Sequence, residues 1–276
     1  MVKRRLDTLL AERGLFPSRT RAAASVMAGE VYLHTARAGE RRAEKPGELV
    51  DEQTDVRIAA QPAFVSRGGV KLANALDACG LDVAGRRALD VGASTGGFTD
   101  CLLQRGAREV VAVDVGYGTL DFRLRNDPRV VVMERTNARA LVPELLPPAR
   151  VASDTLPDLA TVDVSFISLR KVLPAVLACL DRPYDVLALV KPQFELGRGR
   201  VGKGGVVRAS EDRRETLVSV GEAALALGTS VLGFYSSGLP GPKGNRETFV
   251  WLAEETRDRG TREPAEVERM AREVER

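Results

Sequence analysis

Arg87-Ala88-Leu89-Asp90-Val91-Gly92-Ala93-Ser94-Thr95-Gly96-Gly97-Phe98 is the stretch that decides the fold. Its first five residues suit a buried strand, and a glycine turn then opens a helix from Gly97 to Gln104. Glycines there let a ligand approach the backbone, and a helix N-terminus favours negative charge. The spacing is not the GxGxxG of dinucleotide enzymes, because Ser94 stands where their second glycine would be. The turn has two readings, a purely structural one and a nucleoside site.

Outward from this stretch the pattern alternates strand with helix. Val110-Val111-Ala112-Val113, Val130-Val131-Val132-Met133, Leu159-Ala160-Thr161-Val162-Asp163 and Asp185-Val186-Leu187-Ala188-Leu189-Val190 read as strands. Helices are expected after Ser168 and from Ser210 to Leu227. Such alternation makes an α/β domain, a parallel sheet with helices on both faces. Two further strands, near 230–235 and 248–252, are joined by a Gly/Pro loop without a helix and predict an antiparallel hairpin at one edge. The tail after Glu254, rich in Glu and Arg, reads as a solvated helix or a disordered segment.

Before Phe64 lies a smaller α+β unit. Leu6, Leu9 and Leu10 are spaced for one helix face, ended by Gly14. Ser18 caps a second helix with Ala22, Val26 and Met27 expected on its buried face, stopped by Gly29. Val31-Tyr32-Leu33, Leu49-Val50 and Val56-Arg57-Ile58 read as short strands, and 59–63 as a linker. The stretch His34 to Glu44 is basic, with two readings: an exposed loop or an altered contact surface.

The chain has 276 residues with 44% hydrophobic and 29% charged, which is material for one large domain plus a small one. No apolar run is long enough for a membrane span, and the charged N-terminus lacks the apolar core of a secretory signal. Cys79, Cys101 and Cys179 are too scattered for a disulfide framework or a CxxC metal site, and a cytoplasmic, reducing setting is the inference. A single histidine, His34, excludes HExxH zinc chemistry, and no metal is expected. Net charge is only +3, but residues 1–42 hold nine Lys or Arg against four Asp or Glu, and residues 191–208 hold five against one. The two islands fit a polyanion partner or a solvated charged face.

Two carboxylates refine the glycine turn. Asp114 ends the next strand, where a carboxylate can accept both hydroxyls of a ribose. Asp90 beside the turn would repel a pyrophosphate and attract an ammonium or sulfonium group. That tilts the cofactor from NAD toward S-adenosylmethionine. Four more charged residues fall where a doubly wound sheet places its active edge: Lys71 on a helix before the first strand, Asp163 and Lys191 at strand ends, and Glu247 at the start of the returning strand. Taken singly, each also reads as a solvated or capping residue. Together they suit proton abstraction from a poor acid, since desolvation and nearby charge tune a lysine while carboxylates orient it.

Several long motifs occur in one order: Val65-Ser66-Arg67-Gly68-Gly69-Val70-Lys71-Leu72, Asp90 to Asp100, Val113-Asp114-Val115-Gly116-Tyr117-Gly118, Glu134 to Arg139, Asp163-Val164-Ser165-Phe166-Ile167-Ser168-Leu169, Val190 to Glu195, and Val201 to Arg208. In these the chain resembles the TlyA, or haemolysin A-like, family of ribosomal RNA 2′-O-methyltransferases. The resemblance runs from Arg5 to about Leu252. It implies an S-four-like RNA-binding domain (1–59), a linker (60–66), an FtsJ-like methyltransferase domain with a Rossmann-like class I sheet (67–253) and a charged tail (254–276). It also implies a Lys-Asp-Lys-Glu tetrad at Lys71, Asp163, Lys191 and Glu247, with Lys191 as base. Asn137 would lie near the adenine of S-adenosylmethionine. Asp90, Gly92, Ser94, Gly96, Gly97, Phe98, Asp114 and Asp163 would hold the rest of the cofactor. The substrate would be a cytidine ribose in ribosomal RNA or ribosomal subunits. Arg4, Arg5, Arg19, Arg21, Arg67, Arg198 and Lys203 are the expected RNA contacts, positioning through phosphates. Phe166 or Phe194 either shapes the mouth of the site or packs in the core. The rivals are a membrane-active protein, which would need an insertable apolar segment, and a ribosome-binding module without catalysis.

Overall fold

A computed structural model describes residues 3–35, 39–59, 63–149, 156–197, 199–241 and 243–275. The chain forms two compact units, one through residue 62 and one from Ala63 onward.

In the first unit, strand β1 (Lys3–Arg5) runs into helix α1 (Leu6–Glu12), and α2 (Arg19–Ala28) follows. Ser18 caps α2 by accepting from the Arg21 N–H, and Gly29 ends it in a left-handed conformation. Strands β2 (Val31–Thr35), β3 (Gly39–Arg42) and β5 (Asp55–Ile58) form an antiparallel sheet ordered β3-β2-β5, and β4 (Leu49–Asp51) pairs with β1. Leu6, Leu9, Leu10, Ala22, Val26, Val31 and Leu33 make the core. Met27 is not in it: the side chain is 72% exposed and Ser25 is buried instead. Positions 22, 25 and 26 share one helical face, and 27 turns away from it. Within the basic stretch after His34, residues 39–42 form a strand. They pair in register with β2, Tyr32 opposite Arg42, and Arg41 and Glu40 form ion pairs with Glu48 and Arg57. Charges on an edge strand hide the alternation that marks strands elsewhere.

The second unit begins with α3 (Arg67–Cys79) and is built on a seven-stranded sheet. The strands are β6 (Arg87–Val91), β7 (Glu109–Val113), β8 (Val130–Met133), β9 (Leu159–Val162), β10 (Asp185–Val190), β11 (Thr229–Ser236) and β12 (Thr248–Glu254), in the order β11-β12-β10-β9-β6-β7-β8. β6 to β10 are parallel and β12 is antiparallel to both neighbours. This is the expected hairpin, with β12 inserted beside β10 and β11 at the rim. β6, β7, β9 and β10 are buried at every residue, which explains their near-continuous aliphatic runs. Helices α4 (Gly97–Gln104), α5 (Phe122–Arg125), α6 (Leu173–Ala178), α7 (Pro192–Glu195), α8 (Ser210–Leu225) and α9 (Pro264–Val274) complete the unit.

The tail is a correction to the expectation of a solvated segment. Thr261 bridges to Val231, α9 buries Val267 and Ala271 completely, and Glu275 Oε2 accepts from Arg213 Nε at 2.6 Å. Val267, Met270, Ala271 and Val274 form a narrow stripe inside a charged sequence, and that stripe suffices to dock the helix.

Candidate active site

The strand order reverses between β6 and β9, and there the sheet opens a crevice at its C-terminal edge. Val162 pairs with both Val91 and Ala188, so the turns after β6, β9 and β10 emerge together. Gly92 has φ +87°, and a Cβ there would lie 2.4 Å from the Asp163 carbonyl oxygen. Its lack of a side chain therefore lets the glycine turn pass directly against the start of the Asp163 loop. Gly97 serves the other side: a Cβ would lie 2.2 Å from Ser66 Oγ and 2.8 Å from the Gly69 nitrogen. The helix that follows the turn thus abuts the N-terminus of α3, one turn before Lys71. Thr248 pairs with Val190 as the last pair of the ladder, so Glu247 and Lys191 lie just beyond the same end of β12 and β10.

These constraints bring Lys71, Asp163, Lys191 and Glu247 to the wall of one open cavity of about 650 Å³, shared with Gly92 and Ser94. Lys71 Nζ donates to Glu247 Oε2 at 2.5 Å, and Glu247 is 1% exposed. Lys191 Nζ lies 2.7 Å from Asp163 Oδ1 and donates to Ser165 Oγ at 2.8 Å. The contact with Asp163 is an ion pair without hydrogen-bond alignment. Asp163 Oδ1 and Glu247 Oε1 are both buried acceptors with no hydrogen bond of their own.

Other expected residues fall in different places. Phe98 lines the cavity and packs on Phe249. Gly96 caps α4 in a left-handed conformation without lining the cavity. Ser94 adopts φ +50°, a conformation that costs a serine more than a glycine, and its N–H bonds Asp114 Oδ2 at 2.8 Å. Asp114 also accepts from the Gly116 N–H, so its carboxylate is held by two backbone groups and keeps lone pairs spare. Asp114 and Asn137 lie outside the cavity wall, and Asn137 caps a short 3₁₀ turn.

Asp90 does not reach the cavity. It is fully buried, accepting from Thr99 Oγ1 at 2.6 Å and Thr161 Oγ1 at 3.1 Å, and burial pushes its carboxyl up to about 7. It braces β6 against α4 and β9 from behind the turn, and its expected direct contact with a cofactor is not what the structure places there.

Sequence reasoning passed over Ser66, Gln193, Lys243 and Asn245, all of which line the cavity. Asn245 carried a readable signal, since it precedes Glu247 by two residues at the strand start. Phe166 and Phe194 both line the mouth with rings 5.2 Å apart. Phe166 is 90% exposed and held at φ +65°, a conformation disfavoured for a bulky side chain. Glu195 holds this loop by accepting from Ser168 Oγ and the Leu169 N–H, and burial raises its carboxyl above the ordinary range.

Residues 64–254 match the model of the FtsJ-like methyltransferases. A 16S/23S rRNA (cytidine-2′-O)-methyltransferase, TlyA, of Mycobacterium tuberculosis is 49% identical over 91% of this chain and 90% of its own length. The chain belongs to the FtsJ-like methyltransferases, in the TlyA branch. Hemolysin A of Brachyspira hyodysenteriae is 36% identical over 88% of this methyltransferase and 97% of its own length. A solved hemolysin-like protein of Streptococcus thermophilus is 39% identical with a TM-score of 0.70, covering 99% of this chain and 96% of that one. Among the described residues no helix of this methyltransferase is long and apolar enough to cross a membrane, and no group of three His, Cys, Asp or Glu is placed to hold a metal.

The expected RNA contacts are spread over both units. Arg67 lines the cavity and donates to the Pro240 carbonyl at 2.7 Å. In the first unit Arg4 is paired with Glu12 and Glu52, Arg5 and Arg19 share Asp7, and Arg21 is exposed. Arg198 and the Lys203 side chain lie outside the described residues.

Proposed function

We propose that this methyltransferase uses S-adenosylmethionine to methylate the 2′-hydroxyl of a cytidine ribose in ribosomal RNA. The observation that carries the reading is the convergence of Lys71, Asp163, Lys191 and Glu247 on the cavity beside the glycine turn. The activity in the name of the M. tuberculosis relative supports the choice of nucleoside and RNA.

The residues present fit the cofactor. Asp114 has acceptor capacity left for two ribose hydroxyls, and Gly92, Ser94 and Phe98 of the glycine turn beside it line the cavity. When bound, S-adenosylmethionine supplies a methyl group activated by a sulfonium. Lys191 Nζ, as the neutral amine, accepts the proton of the 2′-hydroxyl while that oxygen takes the methyl group. Asp163 and Ser165 fix that nitrogen from two sides, so the amine is aimed before the substrate arrives. The Lys71–Glu247 pair closes the polar wall. Phe166 offers an exposed ring on which a base extracted from its stack can rest. The test is methyl transfer from tritiated S-adenosylmethionine to ribosomal subunits. Lys191→Ala should lose at least about 100-fold in rate while binding the cofactor within about threefold of wild type. Normal turnover by this variant would remove Lys191 from the chemistry.

A further inference from the structure

The first unit holds one feature that charge counting does not explain. Asp7, in the first turn of α1, is 3% exposed and carries two arginines from different elements. Arg5, at the end of β1, forks onto it with Nε at 3.1 Å from Oδ1 and Nη2 at 2.8 Å from Oδ2. Arg19, the first residue of α2, adds Nε at 3.2 Å from Oδ2. The two guanidinium groups are thus pinned side by side, and hydrogen bonding from Arg5 holds the Asp7 carboxyl well below the ordinary carboxylate range. The arginine side chains themselves remain 49% and 58% exposed, with donors left over. Arg4 differs: one guanidinium there faces two carboxylates, Glu12 and Glu52. Arg13 is spent on the carbonyls of Glu52 and Thr54. Among the described residues of this unit, only at Asp7 do two cations share one anion and leave an unneutralised positive charge in a fixed geometry.

We propose that Asp7 is a positioning residue that builds a two-arginine site for an RNA backbone phosphate, using the outer N–H groups of Arg5 and Arg19. Guanidinium forks match phosphate oxygens when held in place, and a long flexible side chain loses less on binding when it is already ordered. This rests on the reading of ribosomal RNA as substrate. It makes a prediction opposite in sign to simple electrostatics. Deleting a carboxylate beside two arginines should tighten binding to any polyanion; if the carboxylate arranges the arginines, deleting it weakens binding.

The experiment compares full-length wild type and Asp7→Asn in binding large-subunit ribosomal RNA across a series of salt concentrations. Asp7→Asn should bind about 5- to 10-fold more weakly near 150 mM salt, with the salt slope shallower by about one to two. Arg5→Ala/Arg19→Ala should match it, and adding Asp7→Asn to that pair should change nothing more. Thermal melting and S-adenosylmethionine binding report whether each variant is folded. Should Asp7→Asn fail to fold, Arg19→Lys tests the same point, because it keeps the charge and loses the fork; it should weaken binding about threefold or more. A folded Asp7→Asn, or an Arg19→Lys, that binds as tightly as wild type overturns the site alone. A wild type that does not bind ribosomal RNA overturns the functional reading and the site with it.

Discussion

Lys71 Nζ and Glu247 Oε2 lie 2.5 Å apart although 176 residues separate them in the chain, and both side chains are almost sealed from solvent. A buried pair of this kind is costly to break from one side, since the survivor is left charged and unpaired. Lys71→Met should destabilise the second unit by about 3–5 kcal/mol. Lys71→Met/Glu247→Gln should recover part of that loss while staying inactive. Trp251, the chain's single tryptophan, sits in β12 and gives a fluorescence signal for urea unfolding of this unit. A double variant less stable than Lys71→Met would show that the pair does not govern stability there.

Asp90 makes stability depend on pH in the direction opposite to most carboxylates. Its folded carboxyl sits at about 7 because of burial, against about 3.9 for an unfolded aspartate. Below about pH 4 both states are protonated. Between about 4 and 7 the folded state keeps the proton that the unfolded state has lost, so stability falls as pH rises. Above about 7 both are ionised and the loss is complete. The slope contributed is at most about 1.4 kcal/mol per pH unit. Asp90→Asn should flatten it, with the Thr99 and Thr161 hydroxyls reoriented to serve the amide. Urea midpoints from about pH 5 to 8, read as the difference between wild type and variant, check this. A difference that does not change with pH would refute it.

What was legible in the sequence was whatever period and punctuation record. The parallel strands announced themselves because both faces are buried, and the turn after Val91 did so through its glycines. That Lys71, Asp163, Lys191 and Glu247 come to one cavity followed from strand ends and the antiparallel return. Three things were not legible. Asp90 looked like a ligand because proximity in sequence to the turn says nothing about which side of β6 its carboxylate faces. The docking of the tail depended on Val267 and Ala271 in a sequence that otherwise reads as solvated. The arginines of the first unit read as free cations, whereas Arg4, Arg5 and Arg19 have acidic partners brought near by folding.

Gly97 offers a test of how closely the site depends on helix packing. It is helical, so alanine carries no backbone penalty there, and the effect is steric alone. The added methyl would strike Ser66 Oγ and the Gly69 nitrogen, forcing α3 and with it Lys71 outward. Gly97→Ala should cost about 1–3 kcal/mol of stability and lower methyl transfer about tenfold or more. Ser66→Gly in the same chain removes the nearest clash and should restore part of both. No restoration would place the damage elsewhere in α4.

Asn245 ties the glycine-rich segment after Val201 to the strand that carries Glu247. It is 2% exposed, its Oδ1 accepts from the Val207 N–H at 2.9 Å, and its Nδ2 donates to the Gly205 carbonyl at 2.8 Å. The two partners fix which end of the amide is which, and no other residue type meets both at that length. Its own carbonyl accepts from the Gly241 N–H. Gly205, Gly241 and Asn245 all line the cavity, and Asn245 joins them: its side-chain amide holds the Gly205 loop and its backbone carbonyl holds Gly241. Asn245→Asp keeps size and the bond to Val207 but sets a carboxylate oxygen against the Gly205 carbonyl, a buried clash of acceptors that costs about 1–3 kcal/mol or more. The loops should separate while the glycine turn, held by Asp114 and the β6–β9 ladder, stays in place. Cofactor affinity should therefore hold within about threefold, while KM for ribosomal subunits rises and kcat falls, together costing about tenfold to 100-fold in kcat/KM. Equal losses in cofactor and subunit affinity would mean that the amide supports the whole cavity and not its substrate-facing wall.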